Sequence, residues 1–65
     1  MKKQVVIKTI KNILGTTTYV NIEENDRLID NRIFTNIYDW FEQRVRYDEY
    51  INEYKNLGYD IIYQN

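Results

Sequence analysis

The 65-residue chain has no cysteine, histidine, serine, alanine or proline, and only two glycines. Each absence excludes something. Without cysteine there are no disulfides, and without cysteine and histidine the usual zinc arrangements cannot be assembled. That matters because a chain of this size buries only about 60% of the surface it exposes when unfolded. Small domains offset this with a disulfide, a metal or association, so association with a second copy or with another protein is the route left open. Lacking histidine, cysteine and serine, the chain also lacks the commonest general base and the two commonest nucleophiles. It reads as non-enzymatic, with no catalytic residues.

The two glycines, Gly15 and Gly58, stand alone, so no phosphate-cradling loop can be built around them and no cofactor is expected. The stretch "ENDRLIDNR" sets Asp26 and Asp30 beside Asn25 and Asn31 but lacks the glycine and terminal glutamate of a calcium loop; no metal site is expected. No apolar run is long enough to span a bilayer. After Met1-Lys2-Lys3 the run Val5-Val6-Ile7 stops at Lys8, too short for a signal-peptide core. The expected location is the cytoplasm, with no membrane partner.

What is present is a globular composition: 43% hydrophobic, 29% charged and 15% aromatic residues, a balance that argues against disorder. Asn, Ile, Lys and Tyr are plentiful, and all four have AT-rich codons, which points to a low-GC bacterium or its phage as the source.

Residues 1–65 read as a single small α+β domain. Gln4 to Ile10 and Thr16 to Ile22 are rich in β-branched residues and flank Leu14-Gly15, the signature of a hairpin. Thr18, Val20 and Ile22 share one face of the second strand, opposite Tyr19 and Asn21. The polar stretch Glu23-Glu24-Asn25-Asp26 precedes a short third strand expected over Arg32 to Thr35. Asn36 has the chemistry of a helix N-cap, with Asp39 in the first turn. A helix is then expected from Ile37 to Leu57, with Gly58 just past its end, and Tyr59 to Tyr63 reads as a final strand.

The order is ββ(β)αβ: a small antiparallel or mixed sheet of three or four strands, with one long helix, straight or bent, on one face. A helix of that length would run about 30 Å and overhang short strands. Its apolar residues also shift face, from Ile37, Trp40 and Phe41 to Tyr47, Tyr50, Ile51 and Tyr54. Arg44 and Asp48, between the two groups, suit an i,i+4 pair on a continuous helix.

Function rests on the aromatic and charged residues. "EYINEYKNLGYDIIY", Glu49 to Tyr63, sets four tyrosines around one glycine. They either rim a small core with their hydroxyls reaching water or supply stiff contact area to a partner. Glu49 and Glu53, one turn apart, form part of an acidic helix face. The expected partner-binding residues are Tyr47, Tyr50 and Tyr54 with Glu49 and Glu53. The resulting expectation is a protein-binding module, such as a phage- or mobile-element-encoded inhibitor of a bacterial enzyme, for example a defence nuclease. Two other readings follow from other features. Up to Ile22 the chain carries Lys2, Lys3, Lys8 and Lys11 and no acid, so a basic hairpin that binds nucleic acid is one alternative, weakened by the net charge of −1. A homo-oligomer that closes its own open sheet face is the other.

Overall fold

A computed structural model describes residues 2–64. Four strands, β1 (Lys3–Asn12), β2 (Gly15–Glu24), β3 (Arg27–Thr35) and β4 (Asp60–Gln64), form one mixed sheet in the order β3-β2-β1-β4. One helix, α1 (Phe41–Asn56), packs on one face. The first three strands form an antiparallel meander, and β4 pairs parallel to β1. The connection through α1 therefore carries the chain from one edge of the sheet to the other, which lays the helix across the strands between.

The two-residue period of the strands sorts the core. Val5 and Ile7 pair with Ile22 and Val20, Thr18 pairs with Phe34, and all six are buried beneath the helix. Thr18 escapes the cost of a buried hydroxyl through a 3.0 Å hydrogen bond with Thr9 across the strands.

The third strand begins five residues earlier than expected. The turn before it consists of Asn25 and Asp26 alone, with φ of 53° and 65°. Two consecutive left-handed residues make the tight hairpin whose twist matches the flanking strands, and Asn and Asp tolerate that conformation better than other side chains. Leu28 and Ile29 thus belong to β3, where a register shift opposite Ile22 and Glu23 marks a β-bulge.

Asn36 is not the helix cap. Its φ is 52°, its N–H donates to the Thr16 carbonyl at 2.8 Å, and its side-chain Oδ1 accepts from the Thr16 N–H at 3.0 Å. It therefore ends the β2–β3 ladder. The Asn36 carbonyl then accepts from Asp39 and Trp40 N–H groups, closing one turn before Trp40 returns to an extended conformation and α1 begins. Because the helix starts at Phe41, the Ile37, Trp40 and Phe41 group never forms a helical face: Ile37 is buried, whereas Trp40 and Phe41 are exposed. Sixteen residues make a helix of about 24 Å, shorter than ten-residue strands of about 33 Å. The expected overhang is reversed, and the sheet outruns the helix. Between Phe41 and Asn56 the helix is unbroken, with Arg44 paired to Asp48 at 3.1 Å.

The helix ends in a Schellman motif: Gly58 N–H donates to the Lys55 carbonyl and Tyr59 N–H to the Tyr54 carbonyl, with Gly58 at φ 91°. Open space surrounds Gly58 where a Cβ would go, whereas a Cβ on Gly15, at φ 129°, would collide with the Asn36 side chain. Gly58→Ala is expected to cost about 1 kcal/mol from backbone strain alone. Gly15→Ala should cost clearly more, because it adds a clash at the Asn36–Thr16 clasp. Urea denaturation of both variants checks the order; equal stabilities, or a neutral Gly15→Ala, would refute the clasp.

Candidate functional site

Tyr47, Tyr50, Ile51 and Tyr54 recur at i, i+3, i+4 and i+7, so one stripe of α1 faces the sheet. The rings of Tyr47, Tyr50 and Tyr54 join those of Phe34 and Tyr59 in a continuous ladder. Phe34 contacts Tyr47 and Tyr50 at centroid separations of 5.7 and 5.9 Å, Tyr50 contacts Tyr54 at 5.4 Å, and Tyr54 contacts Tyr59 at 5.2 Å. Most of these contacts are edge-to-face, the arrangement favoured by ring quadrupoles. The last one is also the apolar contact that accompanies a Schellman end. The tyrosines flanking Gly58 thereby fasten the helix terminus to the final strand.

The hydroxyls emerge at the rim, where carboxylates meet them. Tyr50 Oη donates to Asp30 Oδ2 at 2.8 Å, Tyr54 Oη donates to the same oxygen at 3.4 Å, and Tyr59 Oη donates to Glu24 at 3.3 Å. Arg32 stacks on the Tyr50 ring, its guanidinium 4.8 Å from the centroid, and Lys3 lies 5.6 Å from the Tyr59 ring. The Tyr50 hydrogen bond, above all, holds the Asp30 carboxyl below its ordinary range. Burial, reinforced by Asp30, raises the Tyr50 phenol, and burial pushes the Tyr47 phenol up to about 12.

Four of the five residues expected to bind a partner line one groove on the β3 flank. Tyr50, Tyr54, Glu49 and Glu53 gather there with Asp30, Arg32 and Arg46 around about 280 Å³. Tyr47 lies on the other side of the helix, at the base of a groove of about 520 Å³ shared with Tyr38, Arg44 and Tyr63. Tyr47 and Tyr50 are buried, Tyr54 is half-buried, and Glu49 and Glu53 are exposed. The three accessible members of the set are therefore Tyr54, Glu49 and Glu53. The hairpin lysines do not gather. Lys8 falls on the open sheet face, while Lys3 and Lys11 sit on the other face at opposite ends of β1, eight residues or about 26 Å apart. Lys2 is 3.8 Å from Asp26. Among the described residues, no three acidic side chains come together as a cation site would require, and no helix is long and apolar enough to cross a membrane.

A second surface was not singled out from the sequence. Where the sheet outruns the helix, large apolar side chains are left in solvent: Ile13 is fully exposed and Leu14 86% exposed at the β1–β2 turn, with Phe41 82%, Tyr38 67% and Trp40 58% exposed in the segment entering α1. The Asn36–Thr16 hydrogen bonds tie these two segments to the same end of the molecule. One sequence signal for this surface existed. A two-residue hairpin turn ordinarily takes Asn, Asp or Gly, and here Ile13 and Leu14 occupy it.

Comparison of the chain with family models, with curated proteins and with solved structures gives no match.

The rim bonds give the stability a pH signature. A depressed folded-state pKa at Asp30 contributes stability at neutral pH that is lost as pH falls through that pKa. Tyr50→Phe removes the donor, so the variant should be less stable than wild type at neutral pH and converge with it in acid. Raised phenol pKa values act at the other end: stability holds below the unfolded-state value of 10.0 and falls as pH climbs towards about 12. Denaturant titrations across pH, with tyrosinate absorbance as a second probe, check both limbs. A Tyr50→Phe deficit that persists undiminished in acid would refute the Asp30 linkage.

Proposed function

We propose that the chain is a non-enzymatic protein-binding module that engages its partner through the apolar end formed by Ile13, Leu14, Tyr38, Trp40 and Phe41. The carrying observation is that these five side chains are each more than half exposed, although the fold buries seven other aliphatic and aromatic strand and loop residues in its core. Scattered single exposures are ordinary, but five large apolar side chains on two segments tied to one end of so small a domain mark a contact site. Trp, Tyr and Phe are also the side chains that dominate binding energy when a partner desolvates them. Tyr54, Glu49 and Glu53 provide a second, polar contact region along the β3 flank.

The finer reading is an inhibitor that occupies the surface of a bacterial enzyme, such as a defence nuclease, on behalf of a phage or mobile element. It rests on the small size, the AT-rich codon composition and the lack of histidine, cysteine and serine. Separation of the lysines onto both sheet faces favours a protein partner over nucleic acid, because phosphate binding draws on a shared basic surface.

Leu14→Asp and Phe41→Asp test the reading, since both side chains are exposed and should leave stability within about 0.5 kcal/mol of wild type. Wild-type protein immobilised in lysate of a low-GC bacterium should retain a stoichiometric partner, and each variant should weaken that binding by about 2 kcal/mol or more. Absence of a stoichiometric partner for wild type, or full retention by both variants, contradicts the proposal.

A further inference from the structure

Among the described residues the outer edge of β3 has no neighbouring strand, and its sequence is self-complementary. From Arg27 to Thr35 the strand reads RLIDNRIFT, and about Asn31 the flanking residues mirror one another in chemistry: Asp30 against Arg32, then Ile29 against Ile33. The geometry points to this edge as the pairing surface for a second copy of the chain, joined antiparallel about a two-fold axis at Asn31.

In that register Asp30 of each copy lies opposite Arg32 of the other, twice, and Ile29 opposite Ile33, twice. Directly opposed residues on antiparallel strands project from the same face, so the assignments are consistent with the faces observed. Asp30 pairs with Ile22 and Arg32 with Val20, which places both on the helix side. Ile33 pairs with Tyr19 on the open side, and Ile29, the extra residue of the bulge beyond Asp30, comes opposite it in this register. The isoleucines are 51% and 59% exposed. Neither Asp30 nor Arg32 has an ion-pair partner among the described residues, and the Asp30 carboxylate, with hydroxyls on one oxygen and the Asn31 N–H on the other, retains free acceptor sites.

Edge charges commonly serve to prevent pairing, and a like-charged edge would repel its own copy. Opposite charges placed symmetrically about one residue do the reverse: they repel slipped registers and match in one. Isologous contact of this kind closes on itself instead of propagating. The axis runs perpendicular to the sheet, so both helices lie on the same side, and the grooves holding Tyr54, Glu49 and Glu53 open towards one another. The two apolar ends point in opposite directions and stay free, so this pairing is independent of the apolar contact proposed above, while the polar region of Tyr54, Glu49 and Glu53 turns towards the second copy. Five residue pairs with a helix flank fall short of a standard interface of about 800 Å² per partner, the size class of weak and transient contacts.

Sedimentation equilibrium of the whole chain at micromolar concentrations should show wild type approaching twice its 8.0 kDa mass. Arg32→Asp sets acids against acids across the axis, and Asp30→Arg sets bases against bases, so each variant alone should remain monomeric. An equimolar mixture of the two restores every opposite-charge pair and should dimerise. Because both substitutions touch Tyr50, Ile33→Glu provides a variant on the open face, expected to weaken dimerisation at least tenfold, about 1.4 kcal/mol. A monomeric wild type, a single charge variant that dimerises like wild type, a folded mixture that stays monomeric, or unchanged dimerisation of Ile33→Glu would each overturn the pairing. Leu14→Asp and Phe41→Asp should leave it intact; loss of dimers in those variants would place the contact at the apolar end and overturn it equally.

Discussion

Rings of Phe34, Tyr47, Tyr50, Tyr54 and Tyr59 touch, mostly edge to face, between the helix and the sheet, and the rest of the structure depends on that line of contacts. A single helix of sixteen residues must cover the inner strands of a four-stranded sheet with no alanine to let it approach closely and few aliphatics on its buried stripe. Tyrosine meets the need because its ring buries a large apolar area while its hydroxyl stays near water. Here the hydroxyls reach Asp30 and Glu24, so closing the core also satisfies the polar tips. The same contacts lock the helix C-terminus through Tyr54 and Tyr59.

This arrangement separates structure from recognition. Rings committed to the interface between helix and sheet have little area left for a partner, and only Tyr54 among them stays half-exposed. Under the proposed function, recognition falls to places the short helix leaves uncovered. The end of the sheet beyond Phe41 keeps its apolar side chains in water, and the β3 edge keeps a row of unpaired backbone groups. The first follows from a mismatch of length, a helix of about 24 Å on strands of about 33 Å, and the second from the strand order, which puts β3 at the edge of the sheet. A heterologous partner at the end and a second copy at the edge are compatible, because the two surfaces do not overlap.

Much of this fold could be read from residue patterns. The hairpin, the helix stripe of Tyr47, Tyr50, Ile51 and Tyr54, the Gly58 terminus and the final strand all rest on local periodicity or on a single permissive residue, and local rules suffice there. The start of β3 and the start of α1 were misplaced for a common reason. Asn25, Asp26 and Asn36 each adopt a left-handed backbone, and asparagine suits a turn, a strand end or an N-cap with nearly equal ease. Only the long-range bonds from Asn36 to Thr16 decide between them. The candidate site was half legible: the spacing of Tyr50, Tyr54, Glu49 and Glu53 placed them together, but their burial depends on β3 and on Phe34, which no pattern within the helix reveals. The exposure of Ile13 and Leu14 is not legible locally, because the sequence marks Leu14 only as part of the turn with Gly15.

The central claim is that Tyr47, Tyr50 and Tyr59 are committed to closing the core between helix and sheet. Nitration of the native chain with tetranitromethane, mapped residue by residue by mass spectrometry, tests it directly. The account predicts rapid modification at Tyr38 and Tyr63, which are 67% and 70% exposed, and protection at Tyr47, Tyr50 and Tyr59. Equal modification of all seven tyrosines in the folded protein would contradict it.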